Sequence, residues 1–274
     1  GITLSGSYTL ARSTDESSSG DFGGGRGFAS QTAGAQLTTR GRSVSDFDRR
    51  HQLVTTITVP VVKGFEVTAI GRATSGTPYT PSVSGDVNGD GARNDRAYIF
   101  DPATAADPAL AAAMDRLLAD APGRVRDCLQ RQLGTIADRN SCRGPWQPSL
   151  DLQLNWKPSV FGLDQRLTIS LLTSNLLAGM DQLFHDDDLR GWGQFSRPDP
   201  TLLTVRGFDP AQQRFVYEVN DRFGDIRGTQ TFRQPFQIGI QVRLAIGGAS
   251  AFGGPGGFGG PGGPGGPGGG PGGP

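Results

Sequence analysis

Apolar and polar residues alternate along several stretches of the chain, most regularly near its C-terminal end. Apolar residues fill every second position from Phe236 to Ile246, whereas the interleaved positions from Gln237 to Ala245 are mostly polar or small. Because side chains on a β-strand point alternately to opposite faces, this pattern predicts a strand with one apolar and one polar face. Such a strand lies between an apolar and an aqueous environment.

Five earlier stretches alternate in the same way, although the second is less regular. The six predicted strands lie at residues 1–12, 49–61, 65–74, 149–156, 166–175 and 231–246. The fourth strand places Asp151 on one face and Trp156 on the other. This is typical of a membrane barrel, in which the aspartate faces the lumen and the tryptophan lies at the membrane surface.

The connections between these strands alternate in length. The long connections span residues 13–48, 75–147 and 176–230, and the short ones span residues 62–64 and 157–164. Outer-membrane barrels have short periplasmic turns and long extracellular loops. The alternation therefore orients the chain, with its three long loops outside the cell.

The second long loop contains a helical pattern and both cysteines of the chain. Apolar residues recur at helical spacing over residues 110–118, after a typical helix start at Asp107, and residues 124–133 form a second short helical segment. Cys128 and Cys142 are too few for a zinc site, so we predict a disulfide and an oxidising compartment, with two free thiols as the alternative.

Composition narrows the class of protein further. Only 35% of the 274 residues are apolar, which is low for a soluble core of this size but sufficient for a barrel whose strands need one apolar face. Zero net charge and the lack of a basic stripe argue against nucleic-acid binding. We therefore predict an all-β fold, an antiparallel transmembrane β-barrel segment in contact with the lipid of the bacterial outer membrane, with one partly helical loop.

The two ends of the chain differ in what they predict. The sequence begins directly in a strand pattern, and six strands are too few to close a barrel with a lumen, so we expect residues 1–246 to be the C-terminal part of a larger barrel. Residues 247–274 are rich in glycine and proline and cannot form a core. We expect a flexible periplasmic tail there rather than a collagen-like helix.

Five motifs are similar to those of one receptor family. They lie at residues 47–51 (FDRRH), 75–81 (SGTPYTP), 85–96 (GDVNGDGARNDR), 173–177 (TSNLL) and 233–238 (RQPFQI). Through them, residues 1–246 resemble the C-terminal barrel of an Oar-like TonB-dependent outer-membrane receptor with a carboxypeptidase-regulatory-like domain. The resemblance implies a barrel of about 22 strands, whose other strands and N-terminal plug belong to the parent chain, and uptake energised through TonB.

One segment of the second long loop is similar to a calcium-binding loop. The oxygen-bearing side chains that would bind the ion are Asp86, Asn88, Asp90, Asn94 and Asp95. Gly91 occupies the sixth position, where such a loop turns sharply, but Ala97 stands where a bidentate acid belongs. Bound calcium and a metal-free loop of Asx turns both remain open, and no other cofactor is indicated.

The third long loop is rich in aromatic residues and arginines. The candidate ligand contacts are Trp192, Phe195, Arg197, Arg206 and Phe208. Such side chains suit contact with an unknown extracellular ligand, but a loop that packs on itself, as a hairpin around residues 215–219, explains them equally well. His185 and the three aspartates after it suggest a metal contact, for which a solvated turn is the simpler explanation.

Two hypotheses of function follow. The first is an outer-membrane receptor segment whose extracellular loops contribute to ligand binding and uptake. The second is a β-sandwich surface or adhesion module with a calcium loop and no transport activity. No set of side chains is typical of catalysis, so we expect no enzymatic activity and no catalytic residues.

Overall fold

The main element of the chain is one antiparallel sheet of six strands. The computed structural model describes residues 1–16, 42–89, 93, 95–159, 166–186, 190–194, 198–226 and 235–245. The strands are β1 (Thr3–Leu10), β2 (His51–Val62), β3 (Phe65–Thr74), β4 (Gln147–Trp156), β5 (Leu167–Ser174) and β6 (Gln237–Leu244). Each strand pairs with the next in chain order, and within the described residues β1 and β6 are the two edges of an open sheet.

One face of the sheet is apolar from edge to edge because the register aligns the apolar positions of neighbouring strands. One row across it consists of Val59, Val67, Leu154, Leu171 and Ile240. No element that the structure describes covers this row at β6, where Ile240 is 75% exposed. A continuous apolar surface of this width requires an apolar neighbour.

The opposite face is polar, and its side chains bond to one another between strands. Ser170 donates a hydrogen bond of 2.7 Å to the Asn155 carboxamide oxygen, and Asn155 donates one of 3.3 Å to Glu66. Arg72 of β3 and Asp151 of β4 form an ion pair. The expected division into an apolar and a polar face is therefore present, with Asp151 on the polar face.

The short connections lie together at one end of the sheet, which we call the turn end. Gly64 turns the chain from β2 to β3 with φ of +84°, and its carbonyl accepts a 2.7 Å hydrogen bond from the Lys157 amide. A Cβ at Gly64 would lie 2.8 Å from the Lys157 carbonyl oxygen. Only glycine fits here, because the conformation is left-handed and the neighbouring connection is so close.

The long connections meet at the other end, the loop end, and two of them fold into one unit. We call this unit, residues 75–89, 93, 95–146 and 198–226, the cap. It contains the helices α1 (Pro108–Asp120) and α2 (Gly123–Gln130), and a hairpin of Thr201–Asp209 with Arg214–Val219. Thr201–Asp209 also pairs in parallel with Ser82–Ser84, which joins the two long loops. The predicted helix start is confirmed, since Asp107 accepts hydrogen bonds from the amides of Ala109 and Leu110.

The apolar core of the protein lies in the cap rather than in the sheet. Its largest fully buried apolar side chains are Ile99, Met114, Val125, Leu129, Leu202 and Leu203. The predicted disulfide between Cys128 and Cys142 is present, and it ties α2 to the strand Cys142–Arg143 across a Cα–Cα distance of 5.4 Å. The cap is thus a packed unit with its own core and cross-link.

A third helix, α3 (Leu176–His185), follows β5 directly. The sequence patterns assign this segment to a loop, so the helix is a correction. It packs beside the sheet through Gly179, where a Cβ would lie 2.7 Å from the Phe236 ring. No helix in the described parts of the chain has the length and apolar character needed to cross a membrane.

Candidate ligand-binding site

A cavity of about 520 Å³ opens on the polar face at the loop end of the sheet. The ends of four strands and the third long loop form its walls. Its polar lining residues include Arg72, Thr74, Gln147, Asp151, Asn175 and Gln194. The cavity therefore joins the polar face of the sheet to the extramembrane loops.

Asp151 links the floor of this cavity to its wall. One carboxylate oxygen pairs with Arg72, and the other accepts a 2.8 Å hydrogen bond from the backbone amide of Asn175. The Asn175 carboxamide in turn donates a 2.9 Å hydrogen bond to the carbonyl of Gly193. Asn175 is left-handed, with φ of 54°. The strand ends and the segment around Gly193 are thus held by one chain of hydrogen bonds.

A second carboxylate, the buried one of Asp181 in α3, holds the segment that precedes Gly193. Asp181 is 1% exposed and accepts hydrogen bonds of 3.0, 2.8 and 3.0 Å from the amides of Arg190, Gly191 and Trp192. It also bonds at 2.9 Å to the Nδ1 atom of His185, whose ring lies edge-on to Trp192. His185 is therefore part of a structural contact between α3 and this segment.

The predicted ligand contacts fall on two different elements. Trp192 is 40% exposed and directly precedes Gly193 in the cavity wall. Arg206 and Phe208 belong to the hairpin of the cap, where Arg206 pairs with Glu218 and Phe208 packs on Phe215 at 5.4 Å between ring centroids. The hairpin expected around residues 215–219 is present. Two further candidates, Phe195 and Arg197, lie outside the described residues.

In the predicted calcium loop, the carboxylates that the structure describes accept hydrogen bonds from backbone amides. Asp95 is buried and accepts hydrogen bonds of 2.7 and 3.3 Å from the amides of Val87 and Asn88, and Asp86 accepts one of 2.7 Å from Gly89. In the described parts of the chain, no three His, Cys, Asp or Glu side chains form a group that could hold a metal. Asp90 and Asn94 lie outside those parts, and calcium binding stays a prediction.

Charged groups fix the first long loop to the cap. Asp48 is fully buried and pairs with Arg143 of the cap, and its carboxylate also accepts a 2.6 Å hydrogen bond from the Ser13 amide. Burial by itself would raise the pKa of Asp48, but the Arg143 guanidinium, the Ser13 amide and the charge of Arg50 outweigh it, and the pKa lies below its ordinary value. In the core of the cap, burial raises the pKa of Tyr79 far above its ordinary value.

Several residues of the site were not identified from the sequence as ligand or wall residues. Asp151 stood out only as a lumen-facing aspartate and Asn175 only as part of the TSNLL motif, whereas Arg72 and Asp181 carried no motif. The sequence could have indicated a role for Arg72, because it occupies a polar-face position of β3. A charged side chain in a barrel strand needs a partner. No sequence pattern indicates the role of Asp181, because its partners are backbone amides.

An antiparallel sheet with one apolar and one polar face, and with long loops at one end only, is typical of outer-membrane barrels. Residues 1–171 match the family model described as "Outer membrane beta barrel domain". The chain belongs to this family and is a protein of the bacterial outer membrane. Neither the curated proteins nor the solved structures gave a match.

Proposed function

We propose that the chain forms the C-terminal part of a TonB-dependent receptor barrel of the Oar-like type, and that its extracellular loops contribute to ligand binding and uptake. The supporting observation is the cavity of about 520 Å³ at the loop end of the polar face. In a barrel this face borders the lumen, so a ligand held there lies at the mouth of a path through the membrane. The resemblance of the five motifs to those of Oar-like receptors supports the proposed dependence on TonB.

The lining of the cavity suits a ligand with uncharged hydrogen-bonding groups. Arg72 and Asp151 neutralise each other. The other polar groups of the lining are carboxamides and hydroxyls, including those of Gln147, Ser149 and Gln194. The lining therefore has no net charge that would attract an ion of opposite sign.

The partners of the chain follow from the open sheet. Among the described residues, no strand pairs with the outer edges of β1 and β6. An unprotected edge is a template for strand pairing. We assign these positions to the other strands of the parent barrel, whose plug would contact TonB. The β-sandwich hypothesis gains no support, because no second sheet within the described residues covers the apolar face.

Growth experiments with the native organism test this proposal. Deleting the gene for the complete protein and deleting TonB should impair growth on the same nutrient, with no further loss in the double deletion. Asp151→Asn in the complete protein should reproduce the defect at a normal outer-membrane level, whereas Asp115→Asn at an exposed position of α1 should grow as the wild type. Additive defects of the two deletions would exclude TonB-dependent uptake, and normal growth of Asp151→Asn would exclude the cavity.

A further inference from the structure

Three rings form a cluster on the apolar face at the loop end of the sheet. The Tyr8 hydroxyl lies 2.8 Å from the His51 Nδ1 atom, and the His51 ring stacks between Tyr8 and Trp146 with centroid distances of 6.1 and 5.9 Å. Tyr8 and Trp146 are 60% and 55% exposed. Tyrosine and tryptophan concentrate where a membrane meets water, so this cluster marks the level of the lipid headgroups on the extracellular side.

A second cavity, of about 480 Å³, lies beside this cluster. Its lining consists of Leu10, Ala11, Arg12, Arg50 and His51, where β1 ends and β2 begins. Leu10 points to the apolar face and is 64% exposed. The cavity thus adjoins the apolar face beside the ring cluster, and two arginines belong to its lining.

Among the described residues, no carboxylate forms an ion pair with either arginine of this cavity. Arg72, Arg139, Arg143 and Arg206 each pair with a carboxylate, whereas Arg12 and Arg50 form no ion pair with any residue that the structure describes. The buried carboxylate of Asp48 acts on Arg50 through its charge but pairs with Arg143.

We propose that this cavity binds the phosphate group of a lipid in the outer leaflet of the outer membrane. Guanidinium groups bind phosphate oxygens through paired, charge-assisted hydrogen bonds. Basic pockets at the ends of membrane spans bind anionic headgroups. The neighbouring rings and Leu10 would contact the acyl chains of the same lipid. This site faces the bilayer, so it is separate from the luminal cavity and does not depend on the proposed uptake.

Lipid binding to the complete protein, purified from outer membranes in detergent, tests the proposal by native mass spectrometry. The probes are lipid A with its phosphates, the dephosphorylated lipid and inorganic phosphate. The wild type should bind phosphorylated lipid A about tenfold more tightly than the dephosphorylated form. The double variant Arg12→Gln/Arg50→Gln should lose this preference, whereas Arg166→Gln at the turn end should keep it.

Three results would overturn the proposal. These are equal binding of the two lipids by the wild type, an unchanged preference in the double variant, and displacement of the lipid by millimolar inorganic phosphate, which would indicate a site for the free anion. Because a misfolded variant would also lose the lipid, each protein is first compared by its heat-modifiable migration on gels. If the double variant is misfolded, the single variants Arg12→Gln and Arg50→Gln provide the same comparison.

Discussion

The carboxylate of Asp48 and the guanidinium of Arg143 form an ion pair that joins the first long loop to the cap. Next to it, Arg139 pairs with Asp15 at 2.7 Å, and the Asn140 carboxamide donates a 2.6 Å hydrogen bond to Asp46. These contacts connect residues about one hundred positions apart in the chain. All three long loops therefore meet at one end of the sheet.

Removing the charge of Asp48 should loosen this connection. In Asp48→Asn the Arg143 guanidinium loses its buried partner, and we expect a loss of about 2 kcal/mol in the free energy of local opening, because Arg143 keeps part of its hydration. Hydrogen exchange of the amides at residues 44–48 in the complete protein measures this energy. Glu218→Gln, which breaks the exposed pair with Arg206, is the control and should leave exchange at these residues unchanged. Unchanged protection in Asp48→Asn would contradict the anchoring role.

The same connection should depend on pH in the acidic range. The pKa of Asp48 in the folded protein lies below the ordinary value of 3.8. Its contribution to stability is therefore complete above pH 3.8 and is lost as the pH falls through the lower, folded pKa. Pepsin cleavage within residues 42–50 should accelerate below pH 3.8 in the wild type but show no such step in Asp48→Asn. An equal step in both proteins would assign the transition to another group.

The disulfide should stabilise the cap and leave the sheet intact. Cys128 and Cys142 close a loop with a sequence separation of 14, for which a loss of about 3 kcal/mol is expected on removal. In Cys128→Ser/Cys142→Ser, amides of α2 should exchange faster by the corresponding factor, while those of β4 should keep their protection. Equal loss in α2 and β4 would show that cap and sheet unfold as one unit.

Asp181 should control the exposure of Trp192. In the wild type, three backbone amides donate hydrogen bonds to the Asp181 carboxylate. Asp181→Asn replaces one accepting oxygen with an NH2 group, which cannot accept these bonds, so the segment at residues 190–192 should detach from α3. Acrylamide should then quench the Trp192 fluorescence, taken as the difference from a Trp192→Phe protein, about twice as strongly as in the wild type. Asp186→Asn, one residue beyond α3, is the matched control, and equal quenching in both variants would refute the role of Asp181.

The strands could be located from the sequence because each carries its own period-two pattern. The predicted third strand, residues 65–74, coincides with β3, since Gly64 marks the turn before it. The predicted fourth strand, residues 149–156, begins two residues later than β4. Gln147 and Pro148 interrupt the alternating pattern, but they pair with Thr74 and Ala73 of β3. The alternation of apolar and polar residues also identified the two faces of the sheet, because every second side chain of a strand lies on the same face.

The cap could not be predicted in the same way. Its core depends on contacts between distant segments, such as Tyr79 with Phe223 at 5.7 Å between ring centroids and the parallel pairing of Thr201 with Ser82. Local periodicity identifies a buried face but not the element that covers it. The sequence patterns therefore predicted α1, the helical segment of α2 and the disulfide but treated the second and third long loops as separate.

Helix α3 was not predicted because its sequence lacks the usual signals of a helix. Asn175 precedes it in a left-handed conformation and provides no side-chain cap, so the usual start signal is weak. Gly179 lowers the helix propensity of the segment, but the Phe236 ring occupies the space that a side chain there would need. The wall of the cavity on the polar face thus depends on tertiary contacts that local sequence patterns do not predict.

Site-directed spin labelling of β6 tests most directly whether the apolar face of the sheet lies against lipid. The chain's two cysteines are joined in the disulfide, so Ile240→Cys and Gln241→Cys each introduce one reactive thiol. In outer-membrane vesicles, the label at residue 240 should be accessible to oxygen and shielded from a water-soluble nickel complex, and the label at residue 241 should show the reverse. Equal access of the nickel complex to both labels would contradict a lipid-facing sheet.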